Sequence, residues 1–164
     1  MGLPLVGLAI GLYAMGAYVA DVVIRPERVA RVAREFAQRV GKPVLNVGAG
    51  TRGSSLRVAM LGATSWGDVN CDLAASVDAA CASDTVCYCD AVKLPYPDKA
   101  FGAVIASHVL EHMENPQAAL AEWDRVADRV YVIVPKWWAP HTWLHPGHRW
   151  FIDGDGRLTP LYPG

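Results

Sequence analysis

The stretch KPVLNVGAGTRGSSL, residues 42–56, joins an apolar run to a glycine turn and then to a segment compatible with a helix. Val44–Val47 is typical of a buried strand, and Gly48 and Gly50 follow it directly. A parallel α/β domain builds its nucleotide-binding loop in this order, at the end of its first strand. The stretch therefore predicts an α/β sheet with a ligand-binding loop. Asn46 stands where a carboxylate is expected.

Downstream of this loop, strand-like and helix-like runs alternate along the chain. We expect strands at Val44–Val47, Trp66–Cys71, Val86–Cys89, Ala103–Ser107 and Arg129–Val134. Helices are expected near Ser54–Leu61, Val77–Ala82 and Pro116–Ala127. Because crossover helices connect parallel strands, this alternation predicts a Rossmann-like, doubly wound sheet of about five parallel strands.

The first 24 residues differ from the rest, because Leu3–Ile24 is apolar except for Asp21. As a helix this run would be about 33 Å long, which matches the hydrocarbon core of a bilayer. No basic residue precedes it, and Arg25, Arg28, Arg31 and Arg34 follow it. The pattern predicts a transmembrane helix with the globular part on the cytoplasmic or matrix-like side. A buried core helix is the alternative interpretation.

Small residues recur on one side of this helix, at Gly7, Gly11 and Ala14. Such spacing lets a second helix approach closely, although ordinary glycine usage in a membrane span also produces it. The predicted organisation is a transmembrane helix at 1–24 and a connecting amphipathic helix at 25–41. An α/β domain at 42–135 and a C-terminal extension at 136–164 follow.

Bulk composition excludes some classes of partner and bounds the size of the protein. A chain of 164 residues suffices for one domain with its own core. The net charge of −1 gives no basic field for binding nucleic acid. The four cysteines, Cys71, Cys81, Cys87 and Cys89, contain no C-x-x-C pair, so we expect reduced core thiols in a reducing compartment.

Acidic residues close the second and third predicted strands, and such a residue at the end of the second strand can accept hydrogen bonds from ribose hydroxyls. Asp72 lies 22 residues after Gly50, and Asp90 opens the run DAVKLPYPDKAFGAVIASHVLEHM. With these residues the chain resembles the class I S-adenosylmethionine-dependent methyltransferases of the type 11 methyltransferase-domain group. The positions that match the recurring run of that family are Asp90, Leu94-Pro95-Tyr96, Asp98, Phe101 and Leu110-Glu111-His112.

The resemblance implies S-adenosylmethionine as the cofactor and assigns roles to individual positions. The loop would line the methionine and ribose portion, Asp72 the ribose hydroxyls, and Asp90 the adenine amino group. The implied cofactor-binding residues are Asn46, Gly48, Ala49, Gly50, Asp72, Leu73, Asp90, Ala91 and Ser107. His108, at the rim near the sulfonium, is the candidate catalytic residue.

Two features depart from the family pattern and leave two functions open. Asn46 lacks the charge of the usual acidic residue, and residues 136–164 are too few for the helix and antiparallel strand pair that complete the family's sheet. One hypothesis is a degenerate relative that serves as an accessory subunit of an integral-membrane complex. The alternative is an active methyltransferase acting on a lipid-like or membrane-peripheral small molecule.

Histidines and tryptophans near the C-terminus suggest weaker possibilities. His108 to His112 fits the H-x-x-E-H zinc pattern, but here it follows a strand, where the spacing does not place both rings on one face. His141, His145 and His148 lie in a segment with no predicted regular element, so we predict no metal site. The resemblance implies that the Trp137–Trp150 segment could line a substrate pocket, and its tryptophans equally suit contact with the membrane or a protein partner.

Overall fold

The computed structural model describes residues 3–50, 66–73 and 86–161. The helices expected near Ser54–Leu61 and Val77–Ala82 lie outside these residues. In the described part, an N-terminal helix packs on one face of a parallel sheet and a second helix packs on the other. A short C-terminal segment follows the last strand of the sheet.

The N-terminal helix runs without interruption from Leu3 to Val40. It consists of α1 (Leu3–Tyr18), a π-helical stretch (Val19–Ile24) and α2 (Arg25–Val40). Gly41 ends it in the left-handed conformation, with φ of 67°, and donates its N–H to the carbonyl of Gln38. The apolar run and the predicted connecting helix are therefore one continuous element.

The sheet has five parallel strands in the order β3-β2-β1-β4-β5, which confirms the predicted Rossmann-like architecture. The strands are β1 (Val44–Val47), β2 (Val69–Asp72), β3 (Val86–Tyr88), β4 (Phe101–Ser107) and β5 (Ala127–Ile133). β2 begins three residues later than predicted, because Gly67 turns back to bond the side chain of Asn70. β4 begins earlier, because Phe101 already pairs with Ala127.

Each face of the sheet has its own core. On one face, Ala30, Ala33 and Ala37 of α2 are buried against Val44, Ala103 and Ile105. α2 lies so close that a Cβ on Gly102 would be 2.8 Å from the Cα of Ala37, so only glycine fits at this position of β4.

The opposite face is covered by α3 (Pro116–Val126). Asn115 caps this helix by accepting the Ala118 N–H at 3.0 Å, and Pro116 occupies its first turn, as predicted. Trp123 is fully buried against the sheet, and its indole N–H donates to the carbonyl of Ala91 at 3.0 Å. This contact links the helix to the loop after β3.

The C-terminal segment is regular, so the expectation of no defined element there was wrong. It forms α4 (Pro140–Leu144) and an antiparallel pair, β6 (Trp150–Ile152) with β7 (Leu158–Pro160). Pro140 begins the helix, and the side chain of Ile152 is buried in the core that contains Trp123. The residues that argued against regular structure lie where such residues belong: Pro140 begins the helix, and Pro146 and Gly147 form a turn after it.

The last part of the apolar helix is docked on the globular part by Asp21, which is 1% exposed. Its carboxylate accepts hydrogen bonds from Arg25 at 2.8 Å and from the backbone N–H of Lys136 at 2.9 Å. His141 Nε2 lies 3.3 Å from the same carboxylate. Eight residues before Asp21, in α1, the Tyr13 hydroxyl donates a hydrogen bond to the carbonyl of Trp138 at 2.9 Å.

The part of α1 before Tyr13 projects beyond these contacts. Val6, Leu8, Ile10 and Leu12 are each more than half exposed. Among the described residues, one helix is long and apolar enough to cross a membrane, Val6–Val40, and 11% of its apolar window is buried. Length and composition alone are weak evidence for a membrane span, since a core helix or a signal sequence meets the same criteria.

Removal of the Asp21 charge tests whether this docking stabilises the fold. We expect Asp21→Asn to lower the free energy of unfolding by about 1–3 kcal/mol, because the variant loses a buried carboxylate that accepts hydrogen bonds. The loss is limited because the Arg25 side chain is 29% exposed and can be hydrated instead. Urea unfolding followed by tryptophan fluorescence in mild detergent measures the change. Asp124→Asn, which removes a 77% exposed partner of Lys99, should cost below about 1 kcal/mol. Equal losses in both variants would contradict the docking role.

Candidate functional site

The loop after β1 has the backbone geometry that its two glycines predict. Gly48 and Gly50 adopt left-handed φ values of 70° and 79°. The N–H groups of Gly48 and Ala49 both donate to the carbonyl of Cys71, at 2.9 and 3.1 Å. The loop is therefore tied to the end of the neighbouring strand β2.

Asp72, the last residue of β2, fixes the second half of the loop. Its Oδ2 accepts the backbone N–H of Gly50 at 2.9 Å. The loop and the acidic residue that sequence spacing paired with it are thus in direct contact. Leu73, which follows Asp72, is 64% exposed.

Gly48 also allows the turn after β4 to lie close to the glycine loop. A Cβ at this position would overlap the side chain of Val109, which lies just after β4. The contact places the turn containing Ser107, His108 and Val109 against the glycine loop. Only a residue without a side chain allows both segments to occupy their observed positions.

The loop after β3 is held by a charged network on α3. Asp90 Oδ1 accepts the Val92 N–H at 3.0 Å, closing a turn that contains Ala91. Glu122 accepts the Leu94 N–H at 2.7 Å and two hydrogen bonds from Arg125, each of 2.8 Å. Hydrogen bonds from Arg125 lower the pKa of Glu122 below its usual value of 4.5, so the network is ionised at neutral pH.

Arg125 extends the same network to the loop that carries the family motif. Its guanidinium donates to Asp98 at 2.6 Å and to the carbonyl of Leu94 at 3.2 Å. The motif residues Leu94 and Asp98 therefore keep the Asp90 loop in shape from the helix side. Their role in this structure is to position the loop.

The side chain of Asn46 contacts the neighbouring strand β2. It is 1% exposed, and its Nδ2 donates to Asn70 Oδ1 at 3.0 Å across the neighbouring strands. Asn70 in turn donates to the carbonyl of Gly67 at 2.9 Å. These contacts of Asn46 belong to a polar network between β1, β2 and the turn before β2.

His108, the candidate base, adopts a left-handed φ of 56°, which is uncommon for a residue with a side chain. Its N–H donates to the carbonyl of Ile133 at 2.8 Å. Its ring nitrogens lie 3.4 Å from the Asp21 carbonyl oxygen and 3.4 Å from a carboxylate oxygen of Glu111. The ring therefore lies between the N-terminal helix and Glu111.

A disulfide joins Cys71 to Cys89, so the expectation of reduced thiols was wrong for these two residues, whereas Cys81 lies outside the described residues. In the register of β2 and β3, Cys71 is opposite Cys87, and Cys89 lies two residues further along the same direction. The Cα atoms of Cys71 and Cys89 are 5.5 Å apart, within the usual disulfide range. Sequence spacing gave no sign of this pair, because strand register brings it together.

The histidines of the C-terminal segment divide into two groups. His141 lies beside Asp21, whereas His145 and His148 lie with His112, the last residue of the 3-10 turn Leu110–His112. The sequence analysis considered His141, His145 and His148 together, and it considered His112 only as part of the H-x-x-E-H pattern. His141 lies within the short helix α4, which was not predicted, whereas His145 and His148 follow the end of that helix.

Comparisons with known proteins agree with this fold. The model of a family described as "Methyltransferase domain" matches residues 45–129. Among solved structures, the crystal structure of the [4+2]-cyclase SpnF matches with 31% sequence identity and a TM-score of 0.34, covering 60% of this chain and 40% of that one. The chain thus spans less than half the length of that protein, and at this TM-score the likeness carries no argument. No curated protein matches the chain.

Gly48→Ala tests the close contact at the loop. We expect it to lower the free energy of unfolding by about 2–4 kcal/mol. The new Cβ would overlap Val109, and alanine is strained in the left-handed conformation that Gly48 adopts. In a Val109→Ala background the same change should cost less, about 1–2 kcal/mol, since only the backbone strain remains.

Gly154→Ala is the matched control, because a Cβ there would meet no described atom within 4 Å. Urea unfolding of all four variants measures the differences, and Gly154→Ala should lie within about 0.5 kcal/mol of the parent. An equal cost of Gly48→Ala with and without Val109 would show that the overlap does not hold the loop.

Proposed function

The chain belongs to the methyltransferase-domain family, and we propose that it is a membrane-anchored protein that binds S-adenosylmethionine and transfers the methyl group to a lipid-like or membrane-peripheral small molecule. The observation that carries the proposal is the loop Gly48–Gly50, shaped by two left-handed glycines and tied to Asp72. Open α/β sheets bind ligands at this carboxyl edge of the strands.

The residues at this edge fit the chemistry of the cofactor. Gly48 lets the backbone of the loop lie close to its neighbours, as a ligand-binding loop requires, and a side chain at this position would overlap Val109. Asp72 ends β2 and Asp90 lies just after β3, and their carboxylates would bind the ribose hydroxyls and the adenine amino group. When bound, the sulfonium supplies the methyl group, and the protein contributes mainly positioning of the acceptor.

Asn46 bears on affinity more than on the shape of the loop. An amide in place of a carboxylate removes a charge that would favour the ammonium group of the cofactor. Its amide is engaged with Asn70 inside the sheet, so the loop conformation does not depend on a charge at this position. We infer that binding is retained with lower affinity than a carboxylate would give.

Exposed aromatic residues next to α1 support the membrane location. Trp137, Trp143 and Leu144 are 66%, 49% and 78% exposed and lie in the segment that contacts Tyr13. Tryptophan is favoured at the boundary between lipid and water, and the apolar residues before Tyr13 would enter the hydrocarbon. A substrate that partitions into the membrane surface would then meet the protein there.

We place the globular part on the cytoplasmic or matrix-like side of the membrane. The apolar helix is followed directly by four arginines, Arg25, Arg28, Arg31 and Arg34. By the positive-inside rule, basic residues next to a membrane span remain on the cytoplasmic side. In that compartment Cys71–Cys89 would be one of the reversible disulfides that occur in reducing surroundings.

Isothermal titration of the full chain with S-adenosylmethionine tests the proposal. We expect saturable 1:1 binding, and at least about tenfold weaker binding by Asp72→Asn, because a hydrogen bond to a charged acceptor is lost while an oxygen remains for Gly50. Asp124→Asn, an exposed acidic residue on α3, should leave the affinity unchanged. No heat at millimolar ligand would exclude the cofactor and with it the enzyme.

A second candidate function is a non-catalytic subunit of an integral-membrane complex. Among the described residues, nothing lies within 4 Å of where a Cβ would sit on Gly7 or Gly11, so this face of α1 is open to a neighbouring helix. The exposed Trp137–Trp150 segment would add a second contact. Asn46 would then be tolerated, because the fold serves as a scaffold without the cofactor.

Purification in mild detergent distinguishes this second function. If it is correct, defined subunits co-purify with the chain, and the double variant Gly7→Leu/Gly11→Leu loses them because the helices can no longer approach. Ala9→Leu, on the opposite side of α1, should retain them. A stable monomer of the parent chain would rule out the subunit role.

A further inference from the structure

Three histidines from two separate segments meet at the C-terminal side of the sheet. His112 ends the 3-10 turn, His145 follows α4, and His148 lies three residues further on. Their ligating nitrogens are all within 4.8 Å of one another. The ring centroids of the three pairs are 4.6, 4.8 and 5.2 Å apart.

Two of the rings are oriented as metal-binding histidines are. His112 Nδ1 donates to the Gly147 carbonyl at 2.8 Å, and His148 Nδ1 donates to the Thr142 carbonyl at 2.8 Å. A carbonyl oxygen only accepts, so the proton of each neutral ring is on Nδ1 and the Nε2 lone pair is available. Metal-ligating histidines commonly make this bond to a backbone carbonyl.

Glu111 lies beside the cluster as a buried acidic group. It is 1% exposed, and neither of its carboxylate oxygens accepts a hydrogen bond from the described residues. Its Oε1 is 4.0 Å from His148 Nε2 and 3.4 Å from Nδ1 of His108, which lies outside the cluster. A carboxylate out of water without hydrogen bonds is costly, and a nearby cation would offset that cost.

The cluster also has access to solvent. His112 and His148 border a cavity of about 710 Å³ that is lined in addition by Glu114, Arg149 and Trp150. An ion could enter by this route. A water molecule or a small ligand could occupy a fourth position.

We propose that His112, His145 and His148 bind one divalent zinc-class ion, which fastens the C-terminal segment to the 3-10 turn after β4. Three imidazoles are a common ligand set for zinc. In tetrahedral geometry the ligating nitrogens would be about 3.3 Å apart, so the cluster must contract. His145 is exposed and can move inward, exchanging the Gly147 N–H that its Nδ1 now accepts at 3.1 Å for the metal.

This site differs from the H-x-x-E-H pattern seen in the sequence. Of the two histidines in that pattern, only His112 contributes, because the ring of His108 lies beside Asp21. The other ligands come from the tail, about 33 residues later. The site and the glycine loop use different residues, so metal binding does not depend on the proposed methyl transfer.

Titration of the full chain with ZnCl₂, by calorimetry and in competition with a chromophoric chelator, tests the site. We expect one Zn²⁺ per chain with a Kd below about 1 μM. His145→Gln should weaken binding at least about 100-fold, because a ligand is lost. His141→Gln removes a histidine from the same segment but outside the cluster, and binding should remain within about threefold of the parent.

Co²⁺ provides a readout that does not depend on the variants folding. Co²⁺ bound to the parent chain at three histidines should give the visible absorption of a four-coordinate site. One added equivalent of Zn²⁺ should displace the Co²⁺ and remove this absorption. His145 is exposed, so its variant should keep the far-ultraviolet circular dichroism of the parent. Absence of 1:1 binding, or equal losses in His145→Gln and His141→Gln, would overturn the proposal.

Discussion

The carboxylate of Asp21 joins three parts of the chain that are far apart in sequence. A buried carboxylate must be surrounded by donors, and here these come from Arg25 on the helix and from the backbone of Lys136 after the last strand. Arg25 also donates to the Val134 carbonyl at 2.7 Å. The helix, the end of β5 and the C-terminal segment are thereby held in one arrangement, next to the turn that contains His108.

The parallel sheet and its loop could be predicted from the sequence, because both depend on local patterns. The run Val44–Val47 and the left-handed glycines after it follow from apolar periodicity and from the absence of a side chain. The docking of α1 could not be predicted in the same way, since hydropathy does not distinguish lipid from protein as the neighbour of an apolar side chain. Asp21, the one charged residue in the run, was the available signal.

The features that the sequence missed depend on contacts between distant segments. Cys71 and Cys89 become neighbours only through the register of β2 and β3. His112, His145 and His148 converge only because α4 and its flanking turns fold back onto the 3-10 turn. In the candidate site, Asp72 accepts the N–H of Gly50, and the ring of His108 lies toward Asp21 and Glu111. Local spacing thus located the loop better than it located the side chains around it.

The unbroken helix from Leu3 to Val40 has a mechanical consequence. A flexible linker lets an attached domain sample a volume of space, but a continuous helix whose α2 part packs on the sheet behaves as a rigid arm. The sheet cannot turn or shift unless the apolar end of the helix moves with it. A membrane that held this end would therefore fix the direction in which the glycine loop faces, and a partner molecule would have to approach from that direction.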